Sequence, residues 1–220
     1  TARLFAKYQK QNGMIDTPGF GGVDRSEQFS SGFRLDSTPS LDDSLSFSGD
    51  ISYREDGMVI SNTLPSSPYY QTETSRSFDT FSSLVGRFEH RFSDASQLSA
   101  QLSYEYNHVS SITGFLPGDR HVLDFDTQYS LSPNARHALT WGAGYRLTHD
   151  RYKSGATISI TPENSTEQLV SLFIHDDILL IPERLHLVLG AKLEHNSYTG
   201  LEVQPSARIL WSPDSQRSLW

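Results

Sequence analysis

Apolar and polar residues alternate one by one along most of the chain. Between Asp43 and Arg54, one set of alternating positions is Leu45, Phe47, Gly49, Ile51 and Tyr53, and the other is Ser44, Ser46, Ser48, Asp50, Ser52 and Arg54. The segment from 97 to 107 repeats the pattern. Successive side chains of a β-strand point to opposite faces, whereas a helix would mix these two sets. The pattern therefore predicts an all-β protein.

The alternation predicts about ten strands and the start of another near Arg217. They span residues 2–11, 27–37, 43–54, 80–92, 96–107, 122–131, 137–149, 168–176, 185–196 and 203–211. Most have about ten residues or more, whereas soluble proteins usually have strands of about five or six. A tilted strand needs about 9–11 residues to cross a bilayer. The strand lengths therefore favour a membrane β-barrel.

The predicted connections alternate between short turns and long loops. Short turns containing Pro, Asp, Asn or Ser lie near 38–42, 93–95, 132–136, 181–184 and 212–216. Long segments lie at 12–26, 55–79, 108–121 and 150–167, with a shorter one near 197–202. Successive connections of an up-and-down barrel emerge at opposite ends. We therefore predict an antiparallel transmembrane β-barrel segment with tight turns at one rim and large loops at the other.

Aromatic residues are placed toward both ends of the apolar faces. Toward the long loops lie Tyr8, Tyr53, Tyr104, Tyr106 and Tyr145, and toward the short turns lie Phe47, Phe92, Tyr129, Trp141 and Trp211. Amphipathic rings favour the two boundaries between water and bilayer, which predicts two aromatic girdles. Because aromatics also favour strands in general, a soluble β-sandwich with its apolar faces inside stays an alternative.

Composition narrows the function classes. The net charge of −8 disfavours a nucleic-acid binder, and the lack of cysteine excludes disulfides and thiolate chemistry. The longest aliphatic run, from Ile178 to Ile181, is far too short for a membrane-spanning helix. A mean hydropathy of −0.46 is compatible with a barrel, because every second strand residue faces the lumen.

The sequence offers no catalytic or metal-binding motif, so we predict neither an enzyme nor a cofactor. Asp124 and Asp126 share one face of a strand, which is suitable for sharing a proton or a cation, although two solvated lumenal acids explain them as well. His175 and Asp176 point to opposite faces, so these residues and Asp177 do not form one metal site.

Ligand recognition is predicted in the long loops, where binding residues sit on a rigid scaffold. Aromatic and basic side chains there suit an anionic, ring-bearing ligand such as a metal chelate. The candidate residues are Tyr69, Tyr70, His108, Arg120, His121, Arg151 and Tyr152. The ordinary composition of solvated loops is the alternative explanation.

Four segments resemble the barrel of TonB-dependent outer-membrane receptors. They are Ser171–Ile178 (SLFIHDDI), Leu185–His195 (LHLVLGAKLEH), Pro205–Pro213 (PSARILWSP) and Arg3–Tyr8 (RLFAKY). The resemblance implies a barrel of about 22 strands filled by an N-terminal plug, which an inner-membrane complex pulls to admit a scarce ligand. Neither a plug nor a coupling box is recognised here, so residues 1–220 are predicted to be a partial barrel domain.

The function implied by this resemblance is active transport at the bacterial outer membrane. The ligand would be a ferric siderophore or another metal chelate, and the partners would be outer-membrane lipid and the TonB complex, acting through a plug absent from this chain. Two alternatives stay open: a complete small outer-membrane pore or barrel enzyme, and a soluble β-sandwich binding module.

Overall fold

The computed structural model describes residues 1–13, 21–110, 117–155, 158–214 and 216–220, which contain eleven β-strands and no helix. The strands are β1 (Ala2–Gln11), β2 (Ser26–Ser37), β3 (Asp43–Thr63), β4 (Tyr70–Ser93), β5 (Ser96–Val109), β6 (Gly118–Asn134), β7 (His137–Tyr152), β8 (Asn164–Ile181), β9 (Leu185–Asn196), β10 (Gly200–Asp214) and β11 (Arg217–Leu219). Among these residues, no helix has the length and apolar character needed to span a membrane.

The strands form one antiparallel sheet in which each strand pairs with the next along the chain. The predicted all-β, up-and-down architecture is therefore confirmed. Within the described residues, β1 and β11 do not pair with each other, so the sheet is open. The described residues also form a single layer. A β-sandwich requires two packed sheets, so that alternative is wrong for the part of the chain that the structure describes.

The strand register keeps the two sets of side chains on separate faces. One register row runs through Leu35, Phe47, Gly86, Leu102 and Phe125, and it belongs to what we call the apolar face. The alternate positions form the polar face. Because the side-chain period of a strand is two, a register slip of one residue would exchange the faces.

Most apolar side chains of this sheet are open to solvent. Leu102, for example, is 51% exposed, and among the described residues Ile60 is the one buried hydrophobic side chain. An apolar surface of this extent marks a site of contact with lipid or protein. Hydrophobic stabilisation of this fold therefore depends on an apolar medium or partner against the apolar face.

Local hydrogen bonds explain the short turns. The Ser40 hydroxyl accepts bonds from the backbone N–H groups of Asp42 (3.1 Å) and Asp43 (3.0 Å). Asn134 Oδ1 accepts one from the N–H of Arg136 (2.9 Å). Serine and asparagine form such turns because their short side chains reach the backbone two or three residues ahead. We call this rim the short-turn end, and the opposite rim the long-connection end.

Strands extend further toward the long-connection end than the sequence pattern predicted. Residues 55–79, predicted as a loop, form the outer half of a hairpin in which β3 has 21 residues and β4 has 24. Strand pairing likewise continues into 108–121, 150–167 and 197–202. Backbone pairing needs no apolar face, and these segments carry polar residues on both sides, so the alternation signal ends before the strand does.

One aromatic cluster lies at the short-turn end of the apolar face. The ring centroids of Tyr129 and Trp141 are 4.6 Å apart in an edge-on arrangement, and those of Phe92 and Tyr129 are 5.9 Å apart. Strands β4, β6 and β7 thus present rings at similar depth, in agreement with the predicted girdle at that end.

The apolar band runs obliquely across the register. In β3 it is centred on Gly49, which the pairing connects to Tyr104 in β5 and to Gln168 in β8. The apolar run of β5 is instead centred on Leu102, and that of β8 on Ile174. Between β3 and β8, five strands apart, the centre of the band is therefore displaced by six residues, from Gln168 to Ile174. At about 3.3 Å per residue and 4.8 Å per strand, this drift gives a tilt of about 40°. Closed barrels have strand tilts of about 35–45°.

Candidate functional site

Six of the predicted ligand-binding residues lie in strands and not in loops. Tyr70 begins β4, His108 lies in β5, Arg120 and His121 lie in β6, and Arg151 and Tyr152 end β7. Tyr69 is in the turn before β4. The loop placement was therefore wrong for all but Tyr69, while a role in binding stays a prediction. Residues 114–116 of the predicted loop tip lie outside the described residues.

Tyr69 and Tyr70 form the exposed tip of the β3–β4 hairpin. Tyr69 has a φ of 63°, in the left-handed region. Its N–H donates to the carbonyl of Ser66, and its carbonyl accepts from the N–H of Leu64, each at 2.8 Å. These two bonds close the turn and hold both rings in solvent at the far end of the long-connection rim.

Arg120 is joined to Asp150 by a bidentate pair on the polar face. Its Nε donates to Oδ1 at 2.7 Å and its Nη2 donates to Oδ2 at 2.9 Å. The two residues are register partners on β6 and β7, and Asp150 is 5% exposed. Such fork geometry fixes the guanidinium plane and offers a rigid cation to an anionic ligand.

Tyr152 lies on the same face as Arg120. It ends β7 as the register partner of Gly118, the first residue of β6, two positions from Arg120. Its N–H donates to the carbonyl of Glu163 at 2.7 Å, and the N–H of Lys153 donates to that of Pro117 at 2.9 Å. The backbone on both sides of Tyr152 is thereby held beside the cationic Arg120.

A carboxylate forms the centre of a second group, on the apolar-face side of the same strand ends. Asp119 Oδ1 accepts a hydrogen bond from the Tyr106 hydroxyl and is bonded to His108 Nδ1, each at 2.8 Å. One oxygen thus joins two residues of β5 to β6. This network occupies the acid and leaves it a structural role at the end of the apolar band.

His121 and His149 are neighbours on this side. A hydrogen bond of 2.7 Å joins the Tyr104 hydroxyl to His121 Nδ1, and one of 2.9 Å joins His149 Nδ1 to the Thr166 hydroxyl. The two histidine rings are register partners with centroids 6.4 Å apart. Arg151 follows His149 on the same face, and its Nε donates to Asn164 Oδ1 at 3.3 Å.

The predicted residues therefore separate into three groups. Arg120 and Tyr152 lie together on the polar face, His108, His121 and Arg151 lie on the opposite face, and the tyrosines of the hairpin tip are apart from both. A single small ligand does not contact both faces of one sheet. Continuing the alternation beyond the apolar run would have revealed this division.

Another charged group on the polar face gave no signal in the sequence. Arg54 Nε lies 2.6 Å from Asp56 Oδ2, and Asp79 is the register partner of Arg54 on β4. Ser77 is fully buried opposite Asp56. Arg54 ends a predicted strand, but Asp56, Ser77 and Asp79 lie in the segment predicted as a loop, which explains why their common face was missed.

Paired charges continue along the polar face toward the short turns. Arg87 Nη2 lies 2.7 Å from Glu89 Oε1, Lys192 Nζ lies 2.8 Å from Glu194 Oε1, and Arg146 pairs with Asp124. Asp124 and Asp126 share this face as predicted. The arginine beside Asp124 gives that acid an ion-pair partner.

The histidine–aspartate segment of β8 divides between the faces, as predicted. Asp176 Oδ2 is bonded to His137 Nδ1 at 2.7 Å on the apolar-face side, whereas His175 lies on the polar face. Asp177 is bonded to His186 at 2.8 Å. Among the described residues, no three His, Cys, Asp or Glu side chains are grouped to hold a metal ion.

Two hydrogen bonds shift ionisation at the connections. The backbone N–H of Ser154 donates to Glu163 Oε1 at 2.9 Å, and this bond lowers the pKa of Glu163. The hydroxyl of Tyr198, in the turn before β10, bonds Glu167, and this bond raises the pKa of Tyr198. Each bond ties a connection to a neighbouring segment.

The family model described as "TonB dependent receptor-like, beta-barrel" matches residues 11–220. A search of curated proteins found no match. Solved structures similar to the chain include the ferric enterobactin receptor PfeA (G324V mutant) of Pseudomonas aeruginosa, with 16% identity, a TM-score of 0.66, and coverage of 89% of this chain and 32% of that one.

Two further structures have the same fold. The siderophore receptor PirA of Acinetobacter baumannii has 15% identity and a TM-score of 0.63, over 97% of this chain and 36% of that one. The FrpB iron transporter of Neisseria meningitidis has 10% identity and a TM-score of 0.63, over 99% and 42%. The chain thus spans about a third to two fifths of these proteins. The match of the family model over nearly its whole length shows that the chain belongs to the TonB-dependent receptor-like β-barrel family.

Proposed function

We propose that this chain forms part of the barrel wall of a bacterial outer-membrane receptor that imports a ferric siderophore or another metal chelate. Residues 1–220 are in this proposal a partial barrel domain. Energy comes from the TonB complex through a plug that is not part of this sequence.

The oblique apolar band is the observation that carries the membrane assignment. It crosses the strands at the tilt of a closed barrel, and exposed side chains such as Leu102 and Leu172 line it. Because the band is oblique to the strands, it lies parallel to the bilayer plane only when the strands are tilted from the bilayer normal. We therefore assign the apolar face to lipid and the polar face to the lumen.

Passage of a polar ligand is supported by the polar face. Its charged side chains include ion pairs such as Arg87 with Glu89 and Lys192 with Glu194, which suit a wet lumen. Charged side chains of this density are costly in lipid but ordinary in a water-filled barrel interior.

For the ligand we propose an anionic metal chelate. Arg120 and Tyr152 lie together at the lumenal side of the long-connection end, and the aromatic hairpin tip lies further out. A guanidinium and aromatic rings suit an anionic, ring-bearing ligand. The similar structures include proteins described as a ferric enterobactin receptor, a siderophore receptor and an iron transporter.

Uptake by cells tests this proposal. The receptor carrying this chain is expressed in a Gram-negative host without its own siderophore receptors, and uptake of radioactive iron from ferric enterobactin and other ferric chelates is measured. We expect uptake of at least one chelate in a host with TonB and background uptake without it. Arg120→Gln should reduce that uptake, whereas Arg87→Gln, near the short turns, should not.

Two results would contradict the proposal. Uptake that is equal with and without TonB would indicate passive diffusion through a pore. Failure of every ferric chelate, with the receptor verified in the outer membrane, would exclude iron transport and leave the barrel assignment intact.

A further inference from the structure

Histidines lie at the boundary of the apolar band nearest the long-connection end. On β5, β6, β7 and β9, the first residue beyond the apolar run on the apolar-face side is His108, His121, His149 and His195, respectively. Basic residues lie near the same end of this face, among them Arg76 and Arg151. Glu27, Glu55 and Asp119 lie at the same end of this face, and Arg76 pairs with Glu55 at 3.0 Å.

His121 and His149 each keep one ring nitrogen available. Their Nδ1 atoms are engaged with Tyr104 and Thr166, and the described residues give their Nε2 atoms no partner. When the hydroxyl donates to Nδ1, or when the ring is protonated, Nε2 carries a hydrogen. In those states, two N–H donors lie on adjacent strands with their rings 6.4 Å apart.

Arg151 adds a fixed positive charge to this pair. It lies next to His149 on the same face, and its register partner Asp119 is already bonded to His108 and Tyr106. The guanidinium is bonded through Nε to an amide oxygen of Asn164 and not to a carboxylate. Its charge is therefore available to an anion at His121 and His149.

An apolar groove lies below these residues on the same face. It has a volume of about 610 Å³ and is lined by Leu35, Phe47, Gly86, Leu102 and Phe125. Phe125 is four residues from His121 along β6, a distance of about 13 Å at the usual rise of a strand. The groove arises where Gly86 lacks a side chain between Phe47 and Leu102.

We infer that His121, His149 and Arg151 bind the phosphate of an anionic membrane lipid whose acyl chain lies in the groove at Gly86. This inference rests on the proposed assignment of the apolar face to lipid. Donors at the depth of the headgroups and an apolar groove about one acyl segment deeper match the two halves of such a lipid. A soluble phosphate has no acyl chain for the groove, and a zwitterionic lipid would bring its own cation next to the guanidinium of Arg151.

Lipid retention tests the inference. The full chain is equilibrated in micelles with equal amounts of phosphatidic acid and phosphatidylcholine, exchanged into lipid-free detergent, and analysed for retained lipid by mass spectrometry. The wild type should retain phosphatidic acid preferentially. The variant His121→Gln/His149→Gln/Arg151→Gln should lower the ratio of the two lipids about tenfold. Gly86→Leu should lower retention of both.

A matched control variant removes the same residue types, two histidines and one arginine, at the short-turn end. His90→Gln/Arg136→Gln/His137→Gln should keep the wild-type ratio, because these residues lie at the short-turn end. An unchanged ratio in the first variant, or an equal loss in the second, would overturn the inference. Displacement of the retained lipid by millimolar inorganic phosphate would instead assign the site to soluble anions.

Failure of this inference is distinguishable from failure of the membrane assignment. The chain has no cysteine, so a single Leu102→Cys variant with an environment-sensitive dye reports the surroundings of the apolar face. A label in lipid without preference for phosphatidic acid would refute the lipid site alone. A label in water would refute both.

Discussion

Arg120 on β6 holds Asp150 on β7 by two hydrogen bonds, from Nε to Oδ1 at 2.7 Å and from Nη2 to Oδ2 at 2.9 Å. The two partners differ in burial: Asp150 is 5% exposed, whereas the Arg120 side chain is 52% exposed. The ion pair therefore stabilises the buried carboxylate of Asp150 more than the solvated guanidinium of Arg120. Arg120 keeps access to solvent while the bonds fix its plane.

Removal of Arg120 and removal of Asp150 should destabilise the sheet to different extents. Arg120→Gln leaves a buried carboxylate without its cation and should lower the free energy of unfolding by about 1–3 kcal/mol. Asp150→Asn leaves a solvated guanidinium and should cost less. Urea unfolding in detergent, followed by tryptophan fluorescence, measures both.

The exposed pair of Arg34 and Asp36 is the control for this comparison. Arg34→Gln should change stability by about 0–1 kcal/mol, as for other surface ion pairs. If Arg34→Gln and Arg120→Gln cost the same, burial of Asp150 is not the source of the difference.

The two faces should give opposite results in labelling. Single cysteines at Leu98 and Leu102 on the apolar face, each with an environment-sensitive dye, should report lipid in vesicles. Cysteines at Gln101 and Ser103 on the polar face should report water. A water signal at all four positions would contradict the membrane assignment, and a lipid signal at all four would contradict the register.

Two glycines should differ in their tolerance of alanine. A Cβ at Gly142 would lie 2.2 Å from the backbone carbonyl oxygen of Thr127, whereas a Cβ at Gly86 would meet nothing closer than Phe47 at 3.8 Å. Gly142→Ala should therefore cost about 1–3 kcal/mol through strain between β6 and β7. Gly86→Ala should stay within about 0.5 kcal/mol. Equal unfolding midpoints would show that the strands separate freely to admit the methyl group.

The β7–β8 connection should loosen in acid. The bond from Ser154 lowers the pKa of Glu163 below its usual 4.5, so this interaction is fully present above that pH and is lost as pH falls through the lowered pKa. Hydrogen exchange of the Ser154 amide should be slow at pH 7. Protection should fall in Glu163→Gln at pH 7, and at low pH the wild type should approach the variant.

Hydrogen-exchange protection of the neighbouring Tyr152 amide provides the reference for that experiment. Tyr152 donates its N–H to the backbone carbonyl of Glu163, a contact that titration of the side chain leaves in place. Its protection should stay similar in wild type and variant. A joint loss at Tyr152 and Ser154 would indicate unfolding of the strand end and not loss of one bond.

The strands and turns were determined largely by the sequence. Alternation of the kind seen from Leu45 to Tyr53 requires an extended chain with two different faces, and residues such as Ser40 and Asn134 close turns through their own side chains. These are local effects that act within a few residues, so they can be predicted from the sequence without a structure. The short turns therefore lie where they were predicted, although β6 and β10 extend three residues and β8 five residues beyond their predicted ends.

Only the tertiary structure decided what pairs across strands. The hairpin that extends to Thr63 and Tyr70 is held by backbone bonds whose partners are set by register, and its polar side chains carry no periodic signal. The same holds for the pairing of Arg120 with Asp150 across 30 positions of sequence. The sequence supplied the chemistry of these residues, and the register, a cooperative property of the whole sheet, decided which of them act together.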